Sequence, residues 1–128
     1  MSGDIRSIVL VKSYIKPDAY GSGTRTVDAI DTGLYNSFEI FVDAGTFGAS
    51  ATLTNKLQYS ADGSTGWIDD DGSSGNTPAP AALTAEGTQH FRVVSPKERF
   101  YRLSSVSAVQ TIDYGAVLVA DPKDKPPA

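Results

Sequence analysis

Short runs in which apolar and polar residues alternate recur along the whole chain, and none keeps the spacing of an amphipathic helix. Residues 5–14 (Ile-Arg-Ser-Ile-Val-Leu-Val-Lys-Ser-Tyr) are β-branched and short, the profile of a strand. Pro17 and the Gly-Ser-Gly at 21–23 make residues 15–24 read as an exposed loop. A strand over 25–34 would set Val27, Ala29 and Asp31 on alternate positions, with a corner at 35–37. Residues 38–43 alternate more cleanly: Phe38, Ile40 and Val42 share one face, and Glu39, Phe41 and Asp43 share the other. Phe41 is therefore an aromatic on an otherwise acidic face, either partly covered by a loop or an anchor for a partner.

The most specific pattern lies at residues 55–70. Leu57 and Tyr59 alternate with Lys56, Gln58 and Ser60, and Asp62-Gly63 supplies turn chemistry. Trp67 opens a return strand. If Ser60 and Gly66 face each other, Tyr59 and Trp67 form an inward cross-strand aromatic pair that pins the register.

Residues 71–82 carry almost nothing to bury and read as a long surface loop. Strands follow at 88–95, where Phe91 and Val93 alternate with His90 and Arg92, and at 99–106, where Tyr101 and Leu103 share a face. The last strand, 110–120, puts Ile112, Tyr114, Ala116 and Leu118 on one side. Residues 121–128 hold three prolines among alternating charges and form a polar tail. The expected fold is all-β: one domain over 1–120 with a lead-in at 1–4, an antiparallel β-sandwich or small barrel of about seven or eight strands.

Composition narrows the function classes. A formal charge of −4 leaves no basic face for phosphates, so neither nucleic acid nor an anionic membrane is an expected partner. The absence of cysteine removes disulfides, zinc–thiolate sites and thiol catalysis. No signal-like or membrane-spanning apolar run is present, which suits a product made in a cytoplasm.

The residues that carry chemistry are sparse. His90 is the sole histidine and sits with Gln89 and Arg92 on the polar side of its strand, so it reads as a surface residue. Asp69-Asp70-Asp71-Gly72 lacks the spacing of a calcium loop, and adjacent acids on a strand point to opposite faces, which favours a solvated acidic turn. Gly21-Ser22-Gly23-Thr24 lacks the lysine and following helix of a phosphate loop. The expectation is a protein that is not an enzyme and has no cofactor or metal.

The run Lys56-Leu57-Gln58-Tyr59-Ser60-Ala61-Asp62-Gly63-Ser64-Thr65-Gly66-Trp67, with Lys97-Glu98-Arg99-Phe100-Tyr101-Arg102-Leu103 and Val117-Leu118-Val119-Ala120-Asp121-Pro122 after it, resembles small structural proteins of tailed-bacteriophage heads. The resemblance implies a decoration, or cement, protein on the capsid surface that bridges capsomers. Its partners would be the major capsid protein and further copies of itself, as a trimer or dimer. On that reading the capsid contacts are sought in an N-terminal arm through Ile5 and Arg6, in the loop at 15–24, and among Tyr20, Tyr35 and Phe41. Similar hairpins occur in carbohydrate-binding sandwiches, and a head–tail connector or tail-tube subunit is a third class.

Overall fold

The computed structural model describes residues 10–123. The expected beginning of the first strand, with Ile5 and Arg6, lies outside the described residues, as does the end of the polar tail. Nine strands run through the described chain: β1 (Leu10–Tyr20), β2 (Gly23–Thr26), β3 (Ile30–Asp31), β4 (Tyr35–Phe47), β5 (Thr52–Ser60), β6 (Ile68–Asp69), β7 (Gly87–Val93), β8 (Phe100–Ala108) and β9 (Ile112–Pro122). A 3₁₀ turn at Thr32–Leu34 joins β3 to β4. Every pairing is antiparallel. The strands form a four-stranded sheet, β1-β9-β4-β7, and a five-stranded sheet, β2-β8-β5-β6, with β3 also on β8. The two sheets share no strand, so the fold is a sandwich and not a closed barrel.

The alternating positions supply the core. Phe38, Ile40 and Val42 of β4, Leu53 and Leu57 of β5, Phe91 and Val93 of β7, Tyr101 and Leu103 of β8, and Ile112, Tyr114, Ala116 and Leu118 of β9 are all buried. These faces meet between the sheets, as the period of two requires.

Four local expectations are corrected. Residues 15–20 are not loop: β1 continues to Tyr20, with register breaks between Ser13 and Ile15 and between Ile15 and Asp18. Pro17 is tolerated there because β1 is an edge strand and the ladder is already interrupted. Residues 25–34 do not form one strand. β2 and β3 take turns on the same edge of β8, and the gap between them exposes the Leu103 N–H, which donates to the Tyr14 hydroxyl at 3.2 Å. The corner expected at 35–37 is instead the start of β4, where Tyr35 and Ser37 pair with Pro122 and Asp121. The ladder thereby carries β9 two residues beyond Ala120, into the stretch read as tail.

The hairpin register is also displaced by one residue. Tyr59 pairs with Ile68, and its aromatic partner is Tyr101 of β8, directly opposite and 5.8 Å away between ring centroids. Trp67 is half-buried beneath the Arg102 guanidinium, which stands 4.1 Å from its ring centroid. The cause is the turn, which is one residue longer than the connection implied by Ser60 facing Gly66. The Asp62 carboxylate accepts from the Ser64 and Thr65 N–H groups, each at 2.9 Å, while the Ser60 hydroxyl donates to the Thr65 carbonyl at 2.5 Å. Gly63 and Gly66 take left-handed φ values of 79° and 68°, and the Phe100 ring fills the space where a Gly63 side chain would stand.

The long loop after β6 does have something to bury. Asn76, 2% exposed, donates to the Asp70 carboxylate at 2.9 Å, the Ser95 carbonyl at 2.9 Å and the Tyr101 hydroxyl at 3.2 Å. Its own carbonyl accepts from the Val94 and Ser95 N–H groups at 2.9 and 3.0 Å. One residue on, Thr77 exchanges hydrogen bonds with the backbone of Arg92, and Leu83 forms a bridge to Leu53. The loop thus crosses from the edge of one sheet to the edge of the other and covers both. Replacing Asn76 with Ala should cost about 1–3 kcal/mol, because the buried Asp70 and Tyr101 oxygens and two partly buried N–H groups lose a partner. Urea unfolding of wild type and N76A measures this, with an unchanged midpoint as the contrary result.

Titration sets the limits of stability. Hydrogen bonds from the Thr65 and Ser64 N–H groups hold the Asp62 carboxyl well below the usual range, and those from Ser73 do the same for Asp71, with Lys97 adding to it. Groups depressed in the folded state stabilise it above the unfolded value of about 4 and lose that contribution as pH falls. Burial pushes the Tyr14 phenol up to about 12, so unfolding is favoured as pH rises from 10.0 through that value. Thermal melts should therefore be level from about pH 5 to 9 and decline on both sides. In Asp62→Ala the acid limb should flatten, and in Tyr14→Phe the alkaline limb should.

Candidate functional site

The outer face of the four-stranded sheet is the surface to examine, because its side chains alternate with those that fill the core. Register sets the rows. Ser13, Val117, Phe41 and His90 lie side by side across β1, β9, β4 and β7. Val11, Val119, Glu39 and Arg92 form the next row, and Gly115, Asp43 and Thr88 a third on the other side. Val11, Phe41 and Val117 are 62%, 43% and 41% exposed. They line a groove of about 840 Å³, open to solvent, with Pro17 on one wall and Gly45 and Gly115 in its floor. Covering a Val or Phe side chain fully is worth roughly 1.5–3 kcal/mol, so this face has a substantial drive toward a partner.

At its irregular stretch β1 comes close to Gly115 of β9, beside the groove. A Cβ at Gly115 would stand 3.0 Å from the Pro17 Cα and 3.1 Å from the Ile15 carbonyl. At Gly45 the nearest atom would be 3.8 Å away, ordinary contact. Phe41 lines the groove and stacks on His90 at 4.4 Å with an 11° tilt. His90 contacts Glu39 at 3.1 Å, and Arg92 approaches the same carboxylate at 3.8 Å. The acids at the other end, Asp18, Asp43 and Asp113, line the groove beside a single lysine, Lys12.

The aromatics expected as contacts do not converge. Tyr20 ends β1, half-buried against Tyr114 at 5.0 Å, with the Arg25 guanidinium 3.8 Å above its ring. Tyr35 starts β4 at the opposite end, half-buried against the core and paired with Pro122. Tyr20 pairs with Ile112, so the length of β9 separates the two, about 30 Å at 3.3 Å per residue. Phe41 is the one exposed aromatic among the described residues and stands in the groove. Val11 and Val117 were not anticipated. The signal for Val117 is the unbroken apolar run at 116–120, which leaves Val117 and Val119 facing outward once Ala116 and Leu118 face in.

The acidic run divides as its alternation requires. Asp69 takes Lys56 and Gln58 at the surface, Asp71 takes Lys97, and Asp70 is buried under the Tyr101 hydroxyl at 2.8 Å. No helix among the described residues is long and apolar enough to cross a membrane.

No family model and no curated protein sequence matches this chain. Its fold does recur in solved structures. PBSX exported protein XepA superposes over 100% of this chain with a TM-score of 0.57 at 11% identity. The structure of the infectious bursal disease virus Gx strain gives 0.57 over 88% of the chain at 16% identity. The VP2 subviral particle of infectious bursal disease virus gives 0.55 over 90% at 13% identity. The chain spans 42%, 31% and 32% of those three proteins, less than half of each. The likeness is one of fold: an antiparallel sandwich of a kind that occurs in viral particles.

The close approach at β1 and β9 makes a paired prediction. Gly115→Ala should destabilise by about 1–3 kcal/mol, since the backbone of Pro17 and Ile15 must move. Gly45→Ala should change stability by less than about 1 kcal/mol, as its methyl meets only ordinary van der Waals contacts in an extended strand. Denaturant titration of the two variants checks the contrast, and equal effects would contradict it.

Proposed function

We propose that this chain is a structural component of a virus particle, a decoration protein that binds the outer surface of a phage capsid and bridges neighbouring capsomers. The observation that carries the reading is the apolar groove on the open face of the four-stranded sheet. The recurrence of the fold in XepA and in a viral VP2, and the phage-head pattern at residues 56–67 and 97–103, support it. The role is binding and not catalysis. Its partner is the major capsid protein, and the protein acts as a small homo-oligomer, a trimer or dimer. Several modest contacts made by one symmetric oligomer raise the effective concentration of each remaining contact, which is how a cement gains avidity.

A carbohydrate-binding module would present several exposed aromatics in line, whereas the described residues expose Phe41 alone. The test is co-sedimentation of the purified protein with capsids that lack it, followed by heating. Saturable binding at a fixed ratio to capsid subunits, with DNA release moved to higher temperature, is the expected result. Particles that pellet without the protein would sink the proposal.

A further inference from the structure

We infer that the groove receives an extended segment of a partner protein in which an apolar side chain is followed, two or four residues on, by lysine or arginine. This deepens the capsid-surface reading and rests on it only for the source of the segment, which would be an exposed strand or loop of the capsid protein.

The shape argues for an extended occupant. The groove runs along β9 from Asp113 past Val117 to Val11, which stands opposite Val119, six residue steps and about 20 Å, which matches about six residues of extended chain. In such a segment alternate side chains point the same way, so one seated on Val117 and Phe41 sets the next ones over Gly115 and Asp113.

Charge selects the sequence. Among the lining residues Lys12, next to Val11, is the one base against Asp18, Asp43 and Asp113, and the other basic groups on this face, His90 and Arg92, are already gathered on Glu39. Asp43 and Asp113 take part in none of the ion pairs among the described residues, nor does Asp18, which accepts only from its neighbour's Ala19 N–H. A partner cation reaching Asp43 and Asp113 beside apolar contacts would be partly desolvated, where opposite charges are worth most. The same acids repel the phosphates of a lipid surface. They also disfavour a second copy of this chain, whose formal charge is −4.

The probes are two blocked hexapeptides, Leu-Ser-Lys-Ser-Lys-Ser and Leu-Ser-Glu-Ser-Glu-Ser, titrated into ¹⁵N-labelled full-length protein. The lysine peptide should shift the amides of Phe41, Gly115 and Val117 saturably, at least about five-fold more tightly than the glutamate peptide. In the double variant Asp43→Asn, Asp113→Asn that preference should vanish, and Val117→Ser should weaken the lysine peptide while leaving the remaining spectrum intact. Equal affinity for both peptides, or shifts confined to other surfaces, would overturn the inference. So would a wild-type dimer that Val117→Asp dissociates in sedimentation equilibrium, since the occupant would then be a second copy.

The double variant also separates this inference from the capsid proposal. It should lose at least about ten-fold in particle binding. If wild type and variant bind particles equally, the groove is not the contact and the inference fails while the capsid role stands. If wild type binds the lysine peptide in the groove but ignores particles, the inference stands and the capsid role fails.

Discussion

The register of β9 is the constraint on which the remainder of this structure depends. Ile112, Tyr114, Ala116, Leu118 and Ala120 point between the sheets, each no more than 3% exposed, while Asp113, Gly115, Val117 and Val119 point outward. A slip of one residue would put Asp113 into the core, where an unpaired carboxylate is costly, and would send Ile112, Tyr114 and Leu118 into water. β1 and β4 both hydrogen-bond to this strand, so the same choice aligns the four-stranded sheet. It also creates the groove, because the outward positions are those left over once the core is filled. Core and candidate contact surface are two faces of one alternation.

A sandwich leaves edges, and here side chains and loops complete them. The Tyr14 hydroxyl accepts the N–H that β2 and β3 leave unpaired on β8. On the opposite flank, Asn76 ties the loop to β7, β8 and Asp70. A further polar chain runs from the buried Ser105 and Asn55 through Gln89 to the Ala81 carbonyl at the surface. Among the described residues no buried side-chain nitrogen or oxygen lacks a hydrogen-bond partner. Such ties rigidify without adding apolar area, which suits a small domain whose long loops would otherwise be loose.

On the proposed reading, this architecture serves binding. A rigid sheet face carrying Val11, Phe41 and Val117 offers an apolar surface that needs little rearrangement to dock, and its acids give the contact a sign. Phe41 is held against His90, so its ring is already oriented before a partner arrives. A single such contact would be modest. Repetition in an oligomer on a symmetric surface is the physical route by which modest contacts become a durable attachment.

Alternation within a strand is a local property, and it was legible in the sequence. The inward faces of β4, β7, β8 and β9 and the all-β class follow from a two-residue period that survives in any β-pairing. Phe41 as an outward aromatic belongs to the same reading. Pairing between distant segments is not local, and tertiary structure alone decided it. Pro17 reads as a loop signal until β1 is known to be an edge strand. Tyr59 reads as a partner for Trp67 until β8 brings Tyr101 opposite it. Asn76 is one polar residue in a bland loop until Val94, Ser95 and Tyr101, from far along the chain, join Asp70 around it. The groove belongs to this second group, since Val11, Phe41 and Val117 become one surface only when β1 and β4 are placed on either side of β9.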